Sequence, residues 1–213
     1  MSESAQRAKE PQVRGEAVRT RLIDAAEALI LERDALQLTA EDVLASAGVS
    51  RATLYRHFAD VGALIEAALL KGFARQVEID TQSIAGSIAT CNTKEEFRAA
   101  MAAITRATNN KDRAPRRFLR AQLIAMAGSR PALKAQLAEV QTNMTDSLAS
   151  TFEDAKKKGF IKKTVSPRMG ALFIQSYTIG RVLLDIEPCS DRDALDWMEM
   201  IDSVMVKIGR AHV

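Results

Sequence analysis

Proline and glycine are scarce, five and ten in 213 residues, and the prolines fall between periodic segments, which argues against a turn-rich all-β design. Cysteine is scarcer still. Cys91 and Cys189 are too few for a disulfide framework or a cysteine-based zinc site, and read as small semi-buried apolar residues. Of the two histidines, His57 has no second His, Cys or paired carboxylate at helical spacing, so no metal site is expected. No apolar run approaches the ~18 residues of a membrane span. The opening Met-Ser-Glu-Ser-Ala-Gln-Arg lacks the apolar core of a secretory signal. A soluble, cytoplasmic protein with no membrane partner is the expectation. Signatures of catalysis are also missing: no glycine-rich phosphate loop, no G-x-S-x-G, no H-E-x-x-H. The acidic pairs Glu95-Glu96, Glu153-Asp154 and Asp191/Asp193 diverge on a helix and make poor acid–base dyads. Neither an enzyme nor a cofactor is expected.

What is present is apolar residue at 47% and charged residue at 27%, ordinary values for a globular chain. The net charge of +3 does not by itself point to nucleic acid. Residues 1–72 hold nine Lys and Arg against eleven Asp and Glu, and residues 73–213 hold twenty-one against sixteen. Any claim on DNA therefore rests on local spacing.

Residues 1–15, polar and of mixed charge with Pro11 and Gly15, read as a flexible N-terminal arm. From Val18 the pattern is helical: Val18, Leu22, Ala25 and Leu29 share a face, and the helix should end near Asp34. A sharp start follows, with Thr39 as N-cap, Asp42 at N3 and a hydrophobic staple between Leu38 and Val43. Its buried stripe would be Ala40, Val43, Leu44 and Ala47, ended by Gly48 in the left-handed region. Ser50 then caps a third helix, Arg51 to Phe58, with Val49 and Leu54 as the second staple. Asp60 can cap a fourth. Beyond Phe73 the period stays near 3.6, with helices expected at 73–86 (separate from the fourth or continuous with it), 94–109, 114–128, 131–158, 167–186 and 191–210. The expected fold is all-α, a small N-terminal helical unit over 16–73 followed by a larger helical body over 74–213.

The stretch LTAEDVLASAGVSRATLYRHF, Leu38 to Phe58, carries the chemistry. A helix of about eight residues is ~12 Å long, matching the ~12 Å width of the major groove. With Leu54 and Phe58 turned inward, Arg51, Ala52, Tyr55 and Arg56 are presented outward, flanked by Thr53 and His57. No acidic residue occurs from Ser50 to Phe58, as a surface facing phosphates requires.

At these residues the chain resembles the tetracycline-repressor (TetR) family. The matching pieces are Leu22-Ile23-Asp24-Ala25-Ala26, Leu38-Thr39, Ala47-Gly48-Val49-Ser50 and, strongest, Ala52-Thr53-Leu54-Tyr55-Arg56-His57-Phe58. The resemblance implies an N-terminal helix-turn-helix DNA-binding domain over 16–73 and a helical ligand-binding and dimerisation domain over 74–213, in a homodimeric repressor of a palindromic double-stranded DNA operator that a small-molecule effector bound in the C-terminal body releases. It assigns DNA contacts to Thr39, Ser50, Arg51, Ala52, Thr53, Tyr55, Arg56 and His57. Arg51 and Ala52 fall at base-contact positions, and Thr39, Thr53, Tyr55 and His57 at phosphate-contact positions. Val61 stands where the family commonly has lysine. The other class to weigh is an all-α dimeric small-molecule-binding protein without DNA-binding activity.

For the effector pocket, Phe97, Met101, Phe118, Met126, Phe173 and Tyr177 are the candidates, residues that at helical spacing serve equally as core. The arginine group Arg113, Arg116, Arg117 and Arg120 is a solvated face or a holder of an anionic ligand. The last two long helices carry wide apolar stripes and are expected to pair with a twofold copy.

Overall fold

The computed structural model describes residues 3–32, 35–187 and 189–209. They form ten α-helices and no strand: α1 (Glu3–Glu32), α2 (Ala40–Ala47), α3 (Arg51–His57), α4 (Val61–Ala89), α5 (Lys94–Thr108), α6 (Ala114–Ala127), α7 (Pro131–Lys157), α8 (Pro167–Gly180), α9 (Val182–Ile186) and α10 (Asp191–Gly209). Short 3₁₀ turns occupy Ala35–Gln37 and Lys111–Arg113. The chain divides into two compact units, residues 1–74 and 75–213.

In the first unit, α1 packs on α2 and α3 through Leu22, Ile23, Ala26 and Ile30, with Val43 of α2, Leu54 of α3 and Leu64 of α4 wholly buried beside them. Burying a side chain of this size contributes ~1.5–3 kcal/mol, so these few residues fix how α3 is held. The stripe of α1 is rotated from the expected one, since Val18 and Leu29 are half-buried while Ile23 and Ile30 are buried. Arg19 lays its guanidinium over the Phe58 ring, 5.1 Å from the centroid, fastening the end of α3 to α1. The described part of the expected arm, residues 3–15, is helical and continuous with α1. Ala5, Gln6, Arg7, Ala8, Lys9 and Glu10 are all strong helix formers, and that preference prevails over the polarity that suggested an arm. The expected end of the first helix near Asp34 and the tail around His212 lie outside the described residues.

The second unit has one apolar core, drawn from Ile84 and Ile88 of α4, Phe97, Met101 and Ile104 of α5, Leu148 and Phe152 of α7, Ile174 and Tyr177 of α8, and Ile201 of α10. Helix α7 ends in a Schellman turn. Gly159, at φ 78°, donates its N–H to Lys156, and the Phe160 N–H reaches back to the Ala155 carbonyl at 2.9 Å. That turn drives Phe160 and Ile161 into the core. The helix expected over 167–186 is interrupted at Arg181, which separates α8 from α9. Gly180 weakens the helix there, and Arg181 is buried beside Asp185, its Nη1 3.8 Å from Oδ1. Gly170 and Ala171 of α8 face inward, Gly170 bordering a cavity and Ala171 wholly buried.

Candidate functional site

Helix α3 is delivered by two caps that are local to its own sequence. Thr39 closes a capping box: its hydroxyl accepts the Asp42 N–H at 3.2 Å, and the Asp42 carboxylate accepts the Thr39 N–H at 3.1 Å. Gly48, at φ 64°, turns the chain after α2. The Ser50 hydroxyl accepts the Thr53 N–H at 3.2 Å and lies 2.9 Å from the Thr53 hydroxyl. Leu54 and Phe58 are buried, and Arg51, Ala52, Tyr55 and Arg56 are exposed on the other side, Tyr55 at 48%. An aromatic with half its surface in water and a carboxylate-free helix around it has no packing task to explain it.

Three details of this face were not visible in the sequence. Arg51 is ion-paired with Glu41 of α2, both side chains largely exposed. His57 is half-buried, and its Nε2 is enclosed without a hydrogen-bond partner, so that nitrogen is not presented to a phosphate. Thr39 also donates its hydroxyl proton to Asp42 at 2.6 Å, which commits that oxygen to the cap. The start of α4 is capped as expected, the Asp60 carboxylate accepting the Ala63 N–H at 2.7 Å, with Val61 half-buried.

The second unit contains a cavity of about 290 Å³ between α5, the connection after α7, α8 and α10. Phe97, Met101, Phe152, Phe160, Ile174 and Met205 supply apolar wall, and Phe97 and Phe160 stack with centroids 5.6 Å apart. Arg98 and Asp202 are its charged groups. Burial pushes the Asp202 carboxyl above its ordinary value, with Arg106 pulling the other way. Of the expected pocket residues, Phe97 and Met101 border this cavity. Phe118 and Phe173 are exposed instead, Met126 is half-buried on α6, and Tyr177 is a core residue whose hydroxyl is 3.5 Å from that of Thr105. Burial raises the Tyr177 hydroxyl above its usual range. Phe152, Phe160, Arg98 and Asp202 were missed. The one sequence signal for them was Phe160-Ile161, an apolar pair set among lysines where a helix ends.

Residues 22–68 match the family model for bacterial regulatory proteins of the tetR family. The HTH-type transcriptional regulator UidR of Escherichia coli K12 is 25% identical over 176 residues, 83% of this chain and 85% of that protein. Residues 22–68 are thus a tetR-family segment, and the chain is similar over most of its length to a transcriptional regulator. Solved structures agree on the fold. Salmonella enterica GusR aligns with a TM-score of 0.59 at 20% identity, over 92% of this chain and 96% of that one. Thermus thermophilus FadR, a TetR-family transcriptional repressor in complex with lauroyl-CoA, aligns at 0.66 and 16% identity, over 92% and 96%. The family is one of regulators rather than enzymes. The matched span holds every residue of the α3 face from Thr39 to His57. No described helix is long and apolar enough to cross a membrane, and no group of three or more His, Cys, Asp or Glu among the described residues could hold a metal ion.

The arginines at the start of α6 are mostly spoken for within the fold. Arg113 donates to both oxygens of Asp80 at 3.0 Å. Arg117 is buried and makes a two-pronged pair with Asp185 at 2.6 and 2.9 Å, with further bonds to the carbonyls of Thr108 and Asn110. Arg116 stays exposed. The guanidiniums of Arg113 and Arg117 therefore tie α6 to α4 and α9.

Proposed function

We propose that this protein is a ligand-responsive repressor that binds a palindromic DNA operator as a homodimer and releases it when a small molecule enters the body. One observation carries the reading: α3 presents an exposed face of Arg51, Ala52, Tyr55 and Arg56 with no carboxylate from Ser50 to Phe58, although residues 1–72 are net acidic. Only a surface that must lie against phosphates gains from that exclusion. Base reading falls to Arg51 and Ala52 at the start of α3, and phosphate contact to Thr53 and Tyr55, the Thr39 hydroxyl and N–H being held by their own cap. Two further features support the rest. Met169, Phe173, Leu195, Met200 and Val204 leave apolar surface exposed on α8 and α10, which a twofold copy would cover as a four-helix bundle. The cavity supplies an effector site, as FadR, of similar fold, holds lauroyl-CoA.

The test is selection of duplexes from a random pool by the purified protein, followed by gel shift on the winner. A palindromic consensus with half-sites about one helical turn (~34 Å) or a multiple apart is expected. Absence of any enriched sequence would favour a dimeric small-molecule-binding protein that does not bind DNA.

A further inference from the structure

Resting on the ligand-responsive reading above, we propose that the cavity takes a compact monocarboxylic acid, its apolar body among Phe97, Phe152 and Phe160 and its carboxylate on Arg98.

The volume of about 290 Å³ sits near the lower end of small-molecule sites, ~300–1,000 Å³, so the ligand is compact. Its wall is aromatic and aliphatic, with two charged side chains, Arg98 and Asp202. Apolar bulk with one polar group is the composition that leaves the least desolvated polarity unmatched. Arg98 decides which group. Its Nε is enclosed and has no hydrogen-bond partner, and its Nη1 is 3.9 Å from the exposed Glu95 carboxylate, beyond hydrogen-bond reach. A guanidinium does not give up its proton, so this N–H stays a donor in need of an acceptor. A carboxylate supplies that acceptor with charge assistance.

Asp202 does not compete as an anchor for a cation. Its carboxyl is half-buried and raised by burial above its ordinary value, and Arg106 is already the cation acting on it. An amine entering here would meet the Arg98 guanidinium. A doubly charged phosphate would bring more hydration into an apolar wall than one guanidinium offsets. A single negative charge is what fits.

Titration calorimetry of the full chain with octanoate, octan-1-ol and octylamine tests this. Octanoate should bind at least tenfold more tightly than octanol, and octylamine more weakly than either. Arg98→Gln should bring octanoate down to the affinity of octanol and leave octanol within twofold. Arg98→Lys, which keeps the charge and loses the Nε–H, should fall between. Asp202→Asn should leave octanoate as tight or tighter. Gly170→Leu is the packing control. A Cβ at Gly170 would meet Phe152 at an ordinary 3.9 Å, and leucine is the better helix former. That variant should keep or raise the melting temperature and lose all three ligands. Tightest binding of octylamine, octanoate binding indifferent to Arg98→Gln, or no octanoate binding to the folded protein would each overturn the proposal. Release of the selected duplex by an amine with octanoate inert would overturn it while leaving the regulatory reading intact. Octanoate bound at Arg98 without effect on the duplex would support the ligand class and remove the regulatory reading.

Discussion

Arg51 is held by Glu41 in an ion pair, so the base contact proposed for it would start from that pair rather than from free solution. An exposed pair is worth only ~0.2–1 kcal/mol, so a bidentate contact to a guanine edge, ~1–3 kcal/mol of discrimination, still prevails. Arg51→Ala should therefore lose about 1–3 kcal/mol per half-site and relax preference at one base pair. Tyr55→Phe should weaken every sequence about equally, since a phosphate contact carries no base information. Affinities of both variants across single-base operator changes are the measurement. Relaxed specificity in Tyr55→Phe with none in Arg51→Ala would reverse the two roles. At this scale the sequence is legible where the physics is local: Thr39 with Asp42, Ser50 with Thr53 and Gly48 are three-residue devices, and each forms. Glu41 with Arg51, ten residues apart across a turn, is not a spacing that periodicity reports. The inward Nε2 of His57 depends on α1, whose ideal Gly15 Cβ would be 3.8 Å from the His57 ring.

Elements were readable for the same reason. Thr93 and Ser190 cap α5 and α10, and Pro131 and Pro167 open α7 and α8, so the boundaries follow from caps and breakers near each end. The division of α8 from α9 was not readable, because it depends on Arg181 finding Asp185 in a buried place shared with Arg117. That cluster sets two guanidiniums, 5% and 2% exposed, against one carboxylate at 4%. Asp185→Asn leaves both cations without their charge partner and should cost ~3–5 kcal/mol in urea denaturation. Arg181→Met should cost far less, because Arg181 Nη1 makes no hydrogen bond and Asp185 keeps both of its bonds to Arg117. Equal losses would mean that Arg181, not the Arg117 pair, holds α9 in place. Pocket residues were the hardest to foresee for a related reason: Phe118 and Phe152 have similar helical neighbourhoods in sequence, and only the packing of α7 against α8 makes one exposed and the other a cavity wall.

For the whole molecule, the exposed apolar residues on α8 and α10 call for a partner of the same shape. Met169 and Phe173 lie on one face of α8 with Ser176 and Gly180, and a Cβ at Gly180 would meet open space, so a second backbone can come close there. Scattered apolar residues are normal on a surface, but a row along one helix is not. Phe173→Glu together with Met200→Glu should convert a dimer to a monomer in light scattering at micromolar concentration, with the fold retained. Glutamate at Leu31, 61% exposed on α1, should leave the dimer intact. A monomeric wild type at that concentration would remove the bundle.

The Schellman turn at Gly159 has a kinetic consequence. One wall of the cavity, Phe160, Ile161 and Val165, hangs on the connection between α7 and α8 rather than on a helix. Its backbone is held by bonds such as those from Gly159, Phe160 and Val165, and segments of this kind open at lower free energy than the helices beside them. The cavity can then fill through fluctuation of this strip while α5 and α8 stay folded. Amide hydrogen exchange over residues 160–166 should be faster than in α8 without ligand, and should slow more than α8 does once octanoate is bound. Uniform slowing of strip and helix alike would mean that entry requires the whole unit to loosen.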